Sequence, residues 1–306
     1  MSTIYKDKNI TKMYYGSKPV YSFSVEDGGG ASSGLDFSLI GYDDKLSKEI
    51  NDKLNEPLTY SKQLYDEWDS SRSSTSSLYS NDKQLVYAPN IDTSNVTSMN
   101  SMFYSCSSLT TIPLLDTSKV VEMNNMFNFC PSLQSIPKLN TSNVTTMDGM
   151  FRDCSSLQSI PLLDCGNVTR MYGMFYQCGS LQSIPELNTS NVTTMESMFY
   201  NCSKLQSIPL LDCGNVTNMD RIFGWNNIST LTDLGGFKDL KISITSYFLD
   251  KAPNLTIESL MNVINNLYDL TSNGLSGQTL NFGSTNLGKL TEEQIAIATA
   301  KGWTLT

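Results

Sequence analysis

Apolar residues recur along the middle of this chain in columns spaced 24 residues apart. Phe103, Phe127, Phe151, Phe175, Phe199 and Phe223 form one column. Val96, Val120, Val144, Val168, Val192 and Val216 precede them by seven residues, and Met99, Met123, Met147, Met171, Met195 and Met219 by four. Met102, Met126, Met150, Met174, Met198 and Ile222 precede them by one, and Cys106, Cys130, Cys154, Cys178 and Cys202 follow by three. The steps of 3, 3, 1 and 3 predict one face of a short helix. A Leu-x-x-Ile-Pro-x-Leu stretch comes next, as at Leu133, Ile136, Pro137 and Leu139. It is too short and too proline-marked for a helix, so it predicts a short strand with the proline where no amide partner is needed. The following Asp/Asn-Thr/Cys-Ser/Gly-Asn run predicts a turn that also caps the helix.

This is one supersecondary unit repeated. A single coil cannot bury its apolar face alone, so the coils must stack and both ends need covering. Upstream, Leu85, Ala88, Pro89 and Ile91 keep the register, and Leu78-Tyr79 fall in the Met-Phe register; the Ser-rich run from Ser70 to Ser80 reads as a degenerate polar coil. Downstream the pattern fades at Gly224-Trp225-Asn226. A longer period lies inside the first, because Asn140-Thr-Ser-Asn143 recurs at Asn188 and Asp164-Cys-Gly-Asn167 recurs at Asp212, which makes two coils the duplicated unit. The resulting column reads Asp92, Asp116, Asn140, Asp164, Asn188, Asp212. Adjacent strands lie about 4.8 Å apart, so interleaved Asn relieves like-charge repulsion and is expected to let neighbours hydrogen-bond. A calcium ladder is the other reading, but it lacks the closely spaced acids of a calcium loop.

These columns resemble the BspA-like leucine-rich repeats, through Asp92-Thr93-Ser94-Asn95-Val96-Thr97-Ser98-Met99-Asn100-Ser101-Met102-Phe103 and Cys106-Ser107-Ser108-Leu109. The resemblance covers about residues 85–225. It implies an α/β solenoid of leucine-rich-repeat type, with coils of short strand plus short helix. It also implies adhesion or partner recognition without an activity of its own, as on surface proteins of bacteria and protists and on phage tail proteins.

Composition narrows the chemistry. The chain has 306 residues, a formal charge of -9 and no histidine. The acidic balance argues against nucleic acid or an anionic membrane as partner. Ser-His-Asp catalysis, Cys-His catalysis and histidine metal sites are excluded. Of the seven cysteines, five share one column, while Cys165 and Cys213 replace Thr in alternate coils. They read as small buried hydrophobes; a disulfide or thiolate metal site stays open, though no Cys-x-x-Cys occurs. Neither metal nor cofactor is expected, and the chain is expected to fold in a reducing compartment. Residues 1–8 hold no apolar h-region, so no secretory signal is expected. No stretch approaches the about 20 apolar residues of a membrane span.

The ends are read as separate segments. Residues 1–27 predict a small β element for docking onto another protein, with Tyr5, Tyr14, Tyr15 and Tyr21 as candidate contacts and a turn at Gly16-Ser17. A strand folded back on the body is the alternative. This segment resembles N-terminal pieces of phage tail and fibre proteins. Residues 28–34 predict a flexible linker, and residues 35–70 a helical lid over the first coil or an oligomerisation element, with Leu46, Ile50 and Leu54 on one face and a break at Pro57. The solenoid is assigned to 71–225. Residues 226–306 form an α/β capping region with helices from Thr256 to Leu267 and from Thr291 to Lys301, the second opened by a Thr-x-x-Gln capping box. Extended segments follow each helix, and Leu280 and Thr304, again 24 apart, mark two diverged coils. The ending resembles tails seen after such repeats in phage and gut-bacterial surface proteins.

Candidate ligand contacts lie between the inward leucines. Gln134, Gln158, Gln182 and Gln206, flanked by Ser135, Ser159, Ser183 and Ser207, form a polar ladder suited to a repeating polymer such as a glycan, or a purely structural amide ladder. The next exposed column alternates Leu114, Lys138, Leu162, Glu186, Leu210. Lys138 and Glu186 are further candidates. On the helix side Tyr104, Phe129, Tyr172, Tyr176 and Tyr200 are less regular, with Tyr172, Tyr176 and Tyr200 as contact candidates or simple packing between coils. The expected function is a non-enzymatic virion component, a phage tail or fibre protein binding a host surface protein or glycan and neighbouring virion proteins through its N-terminus. The alternative is a bacterial cell-surface adhesin.

Overall fold

The structure is a computed structural model; it describes residues 5–7, 10–15, 18–24, 64 and 69–306. The chain divides into two compact units, residues 1–63 and 64–306. The linker expected over 28–34 and nearly all of the lid expected over 35–70 lie outside the described residues.

In the first unit, β1 (Tyr5–Asp7), β2 (Ile10–Tyr15) and β3 (Lys18–Ser24) form an antiparallel sheet in the order β1-β2-β3. Tyr5 lies opposite Lys12, Met13 opposite Tyr21, Tyr14 opposite Pro19 and Tyr15 opposite Lys18. The pairing register shifts between Met13 and Tyr14, a bulge that lets Pro19 enter β3. All four tyrosines read as docking candidates thus sit on strands.

The second unit is a stack of coils built on the 24-residue period. The Phe column is fully buried, and consecutive rings from Phe103 to Phe199 stack at 5.6 to 5.8 Å between centroids. Tyr79 extends the stack upstream at 5.7 Å, so the Ser-rich segment does form a coil with the same register. Phe248 extends it downstream of Phe223 at 6.3 Å, and coils continue past residue 225.

The helix expected in each coil is absent. The Val-Met-Met/Phe-Cys stretch is a run of tight turns: Met102 N–H donates to the Met99 carbonyl, Tyr104 to Ser101 and Cys106 to Phe103. Between these, Met99, Ser101, Phe103 and Ser105 donate their N–H groups to the next coil, to the carbonyls of Glu122, Asn124, Met126 and Asn128 at 2.7 to 3.0 Å. Half the amides therefore bond across coils, which a helix with bonds along its own axis cannot do. Two residues per coil adopt positive φ to allow it: Ser101 and Ser105, Asn125 and Phe129, Gly149 and Asp153, Gly173 and Gln177, Ser197 and Asn201. Each stands third in its turn, where a type II turn requires positive φ. The apolar steps of 3, 3, 1 and 3 fit this turn ladder as well as a helix, because both bring those residues to one side.

The expected strands are present only in part. In the proline-marked segments single parallel bridges join Tyr87 to Thr111 and Ser183 to Ser207; the bridged succession Ser98, Glu122, Thr146, Arg170, Thr194 and Asn218 lies instead between the Val and first Met columns, in the stretch expected to be helical. Two-residue strands form only in the later coils. There β4 (Ser207–Ile208) pairs with β6 (Asp233–Leu234), and β5 (Leu211–Asp212) with β7 (Phe237–Lys238), all parallel.

Side chains tie the coils together. Each column cysteine points its Sγ at the carbonyl of the Phe one coil back, from Cys106 on Tyr79 at 3.0 Å to Cys202 on Phe175 at 3.0 Å. Thr93, Thr117, Thr141 and Thr189 donate Oγ1 to the following coil's carbonyl at 2.8 to 2.9 Å. The Asp/Asn column does not bond sideways as expected. Each Oδ1 from Asp92 to Asp212 accepts the N–H two residues on at 2.9 to 3.2 Å, closing an Asx turn within its own coil. The sideways role belongs to Asn143, Asn167, Asn191 and Asn215, three residues further on, whose Nδ2 groups reach the previous coil's carbonyl at 2.6 to 2.8 Å.

The C-terminal part keeps the expected helices. α1 (Ile257–Asn266) is capped by Thr256, and α3 (Glu292–Ala300) by the Thr291–Gln294 capping box. A short helix between them, α2 (Gly283–Leu287), was not anticipated. β8 (Gln278–Leu280) and β9 (Trp303–Leu305) pair parallel, as stacked coils should, with Leu280 opposite Leu305, one residue beyond the Thr304 expected from the strict period.

Candidate functional site

The candidate residues fall on two different sides of the coils. On the extended-segment side, Gln134, Gln158, Gln182 and Gln206 are all exposed. Among the described residues their side chains make no hydrogen bond within the chain, so no structural amide ladder forms there. Gln182 N–H donates to the Gln158 carbonyl at 3.0 Å and Gln206 N–H to Gln182 at 2.8 Å, so the backbone, not the side chains, holds the column. The neighbouring ridge is also exposed, with Leu114 at 66%, Leu162 at 54% and Leu210 at 42%. A concavity of about 630 Å³ lies beside it, with Lys138, Leu162 and Glu186 on one bank and Asn140, Asp164 and Asn188 on the other. Lys138 and Glu186 therefore share a site, which the glutamines do not line.

The turn side carries the aromatics. Residues just after the Phe column stack along it because the period holds them one above another. The Arg152 guanidinium lies 4.1 Å from the Tyr176 ring centroid, and Tyr176 stacks on Tyr200 at 4.4 Å and 11°. The Tyr200 ring covers Gly224, where an added Cβ would meet ring atoms at 2.8 Å, so glycine closes the column. Burial raises the pKa of the Tyr176 hydroxyl, and the neighbouring Tyr200 adds to the effect. Burial likewise raises Asp153, and Arg152, 3.3 Å away, pulls it only partly back.

A further exposed aromatic lies in the neighbouring column. Phe129 is 43% exposed and meets Tyr104 edge-on at 5.9 Å. Its φ is 59°, left-handed, at a position that carries Ser105, Asp153, Gln177 and Asn201 in the other coils. Trp225, 96 residues on, is 60% exposed and stacks on Tyr247 at 6.1 Å; the turn register slips there, with Asn201 N–H bonding the Phe223 carbonyl and the positive φ falling on Gly224. Tyr172 is exposed beside these columns, its N–H held by Asp148 Oδ1 at 2.8 Å, while Asp148 Oδ2 accepts from Arg170 at 2.8 Å. Of the three tyrosines singled out from the sequence, Tyr176 and Tyr200 stack on each other, while Tyr172 is held by Asp148. Sequence reasoning missed Arg152 and Trp225, although both were readable: Arg152 lies 24 residues before Tyr176, and Trp225 lies 96 after Phe129.

The cysteines are closed to chemistry. All seven are free and buried. Burial pushes the thiols of Cys106, Cys165 and Cys202 up to about 12, and those of the others further. Among the described residues, no group of three or more Cys, Asp or Glu is placed to hold a metal ion. No helix among them is long and apolar enough to cross a membrane.

A family model described as "Mycoplasma protein of unknown function, DUF285" matches residues 72–186, 132–234 and 169–270, together more than half of the chain. No curated protein sequence matches. Among solved structures, a leucine-rich repeat protein from Bacteroides ovatus is similar at 18% identity and a TM-score of 0.36, over 76% of this chain and 63% of its own. This chain thus spans less than two thirds of that relative's length. The T. pallidum leucine-rich repeat protein is similar at 16% identity and a TM-score of 0.38, over 72% of this chain and 84% of its own. A leucine-rich cell surface protein from Faecalibacterium prausnitzii is similar at 14% identity and a TM-score of 0.27, over 100% and 94% of the two chains.

Proposed function

This chain belongs to the DUF285 family, and from that premise we propose that it is a non-enzymatic binding protein of a bacterial cell surface. Its stacked coils present an aromatic turn side to a protein or glycan on another surface. One observation carries the reading: Phe129 is bulky, exposed and held at a φ of 59°. A left-handed non-glycine residue costs on the order of 1 kcal/mol, and packing does not require a large apolar ring here, since the same position takes polar residues in other coils. Trp225, Tyr176, Tyr200 and Arg152 supply the residue types that dominate binding energy at interfaces. The family description names a cellular organism, which favours a cell-borne protein.

The test is binding of labelled protein to cells and to a glycan array. Phe129→Asn with Trp225→Ala should lower binding at least about tenfold while leaving the thermal midpoint unchanged or higher. Undiminished binding by that variant would sink the assignment. A virion tail or fibre component is the second reading, favoured by the N-terminal sheet standing as a unit of its own with Tyr5, Tyr14, Tyr15 and Tyr21 on its strands as contacts for neighbouring virion proteins. Mass spectrometry of purified virions against washed cell envelopes separates the two.

A further inference from the structure

The ridge on the extended-segment side reads Leu114, Lys138, Leu162, Glu186, Leu210, one residue per coil. Read backwards it is the same pattern with the charges exchanged. We propose that this face is the interface of a symmetric homodimer, in which a second copy packs antiparallel about a two-fold axis at Leu162. A two-fold interface must be self-complementary, with residue i meeting j and j meeting i. Here Lys138 meets Glu186 of the partner subunit and Glu186 meets the partner's Lys138. Leu114 meets the partner's Leu210, Leu210 its Leu114, and the two copies of Leu162 meet on the axis.

The flanking columns obey the same symmetry. The polar column beside the ridge reads Thr110, Gln134, Gln158, Gln182, Gln206. Gln158 then faces itself, and Gln134 faces the partner's Gln182. An amide both donates and accepts, so each such pair can bond. On the other flank the column reads Asp116, Asn140, Asp164, Asn188, Asp212. Asp212 is already neutralised by Lys238 at 2.6 Å, so Asp116 meets an ion pair and not a bare acid. Asp164 faces its own copy, but across two apposed concavities of about 630 Å³ each, where water remains. A parallel arrangement would instead set Lys138 on Lys138 and Glu186 on Glu186.

Area supports a second copy over a small ligand. Five coils at about 4.8 Å, and six residues of extended chain at about 3.3 Å, give a face of about 24 by 20 Å. Both partners together bury on the order of 1,000 Å², the lower end for a specific interface, so the dimer forms reversibly with concentration. Three leucines on this ridge leave more than two-fifths of their surface exposed. As paired contacts on a dimer axis they are covered.

Sedimentation velocity on the full chain tests this, with circular dichroism to confirm that each variant is folded. Wild type should dimerise as concentration rises. Lys138→Glu and Glu186→Lys should each weaken dimerisation about tenfold or more, since each creates two like-charge contacts. The double exchange K138E/E186K should restore it, and so should mixing the two single variants. Leu162→Cys adds the one accessible thiol to a chain whose own are buried, so mild oxidation should yield a covalent dimer. A monomer at every concentration overturns the proposal. So does a dimer indifferent to Lys138→Glu, or a Leu162→Cys dimer that does not cross-link. Ligand binding through the aromatic side is read separately, so failure of either idea leaves the other standing.

Discussion

Gly173 separates the turn ladder from the helix that apolar spacing alone suggests. In a helix interior, Gly→Ala stabilises by about 1 kcal/mol. Here Gly173 has a φ of +55°, and the atom nearest a new Cβ is Tyr176 Cβ at 3.6 Å, so space is not the issue. Left-handed backbone costs an alanine about 1–2 kcal/mol, and the lost freedom of the unfolded chain returns about 0.4–1 kcal/mol. The net expectation is a loss of about 1 kcal/mol, opposite in sign to the helical case. Gly179 is a matched control without positive φ and with its nearest neighbour, Ser203 Oγ, at 3.7 Å; Gly179→Ala should be neutral or stabilising. Gly149→Ala should exceed both, because a Cβ would sit 2.5 Å from Asn125 Oδ1, the acceptor of buried Asn128 Nδ2. Losing that bond adds about 1–3 kcal/mol. The assay is urea unfolding followed by circular dichroism. A raised midpoint for Gly173→Ala would refute the turn ladder.

Further outcomes follow from the same geometry. With thiols at about 12 or above, native protein should not react with Ellman's reagent at pH 8, and unfolding should release seven equivalents. Phe151→Ala removes a ring stacked on both sides at 5.7 and 5.8 Å and should cost about 3–5 kcal/mol in urea unfolding. Burial pushes the Asp212 carboxyl up, but the Lys238 hydrogen bond and charge, the Gly214 N–H and the charge of Lys241 together outweigh it and hold the pKa below the usual 3.8. The pair's contribution, under about 1 kcal/mol, should be complete above that value and vanish as pH falls below it, and Lys238→Met should remove that dependence from an unfolding series run from pH 6 to about 2.5.

The period and the inward columns were legible because burial imposes them: a ring that must stack on its neighbour cannot drift in register. The backbone between those side chains was not, since turns and helix place Met99, Met102, Phe103 and Cys106 on one side alike. A signal existed. The position two after the first Met holds Ser101, Asn125, Gly149, Gly173 and Ser197, residues suited to a turn with positive φ, and the one six after it holds Ser105, Asp153 and Asn201 alongside Phe129 and Gln177. A helix has no reason to repeat them. The Asp/Asn column was misread because its spacing suggested a sideways ladder, while the Ser or Gly two residues on offered a nearer amide. At the candidate site, each column could be read from the period, but which columns share a face depends on where the chain turns within a coil.

That dependence explains where specificity can reside. The Phe rings and the cysteine Sγ groups are columns whose atoms a neighbouring coil uses. Changing one breaks a bond on the coil above or below, so these columns are closed to variation by geometry. Exposed positions without such a bond are free to differ from coil to coil, while others, such as Arg170 on Asp148, are tied across coils. The free positions differ in two ways. On the turn side the variation has no symmetry, with Phe129, Arg152, Tyr176, Tyr200 and Trp225 in an order that does not repeat, as a surface matched to a foreign partner requires. On the extended side the Leu at every second coil follows from the two-coil duplication, so it is the Lys138 and Glu186 pair on either side of Leu162 that distinguishes a self-complementary face from a merely duplicated one.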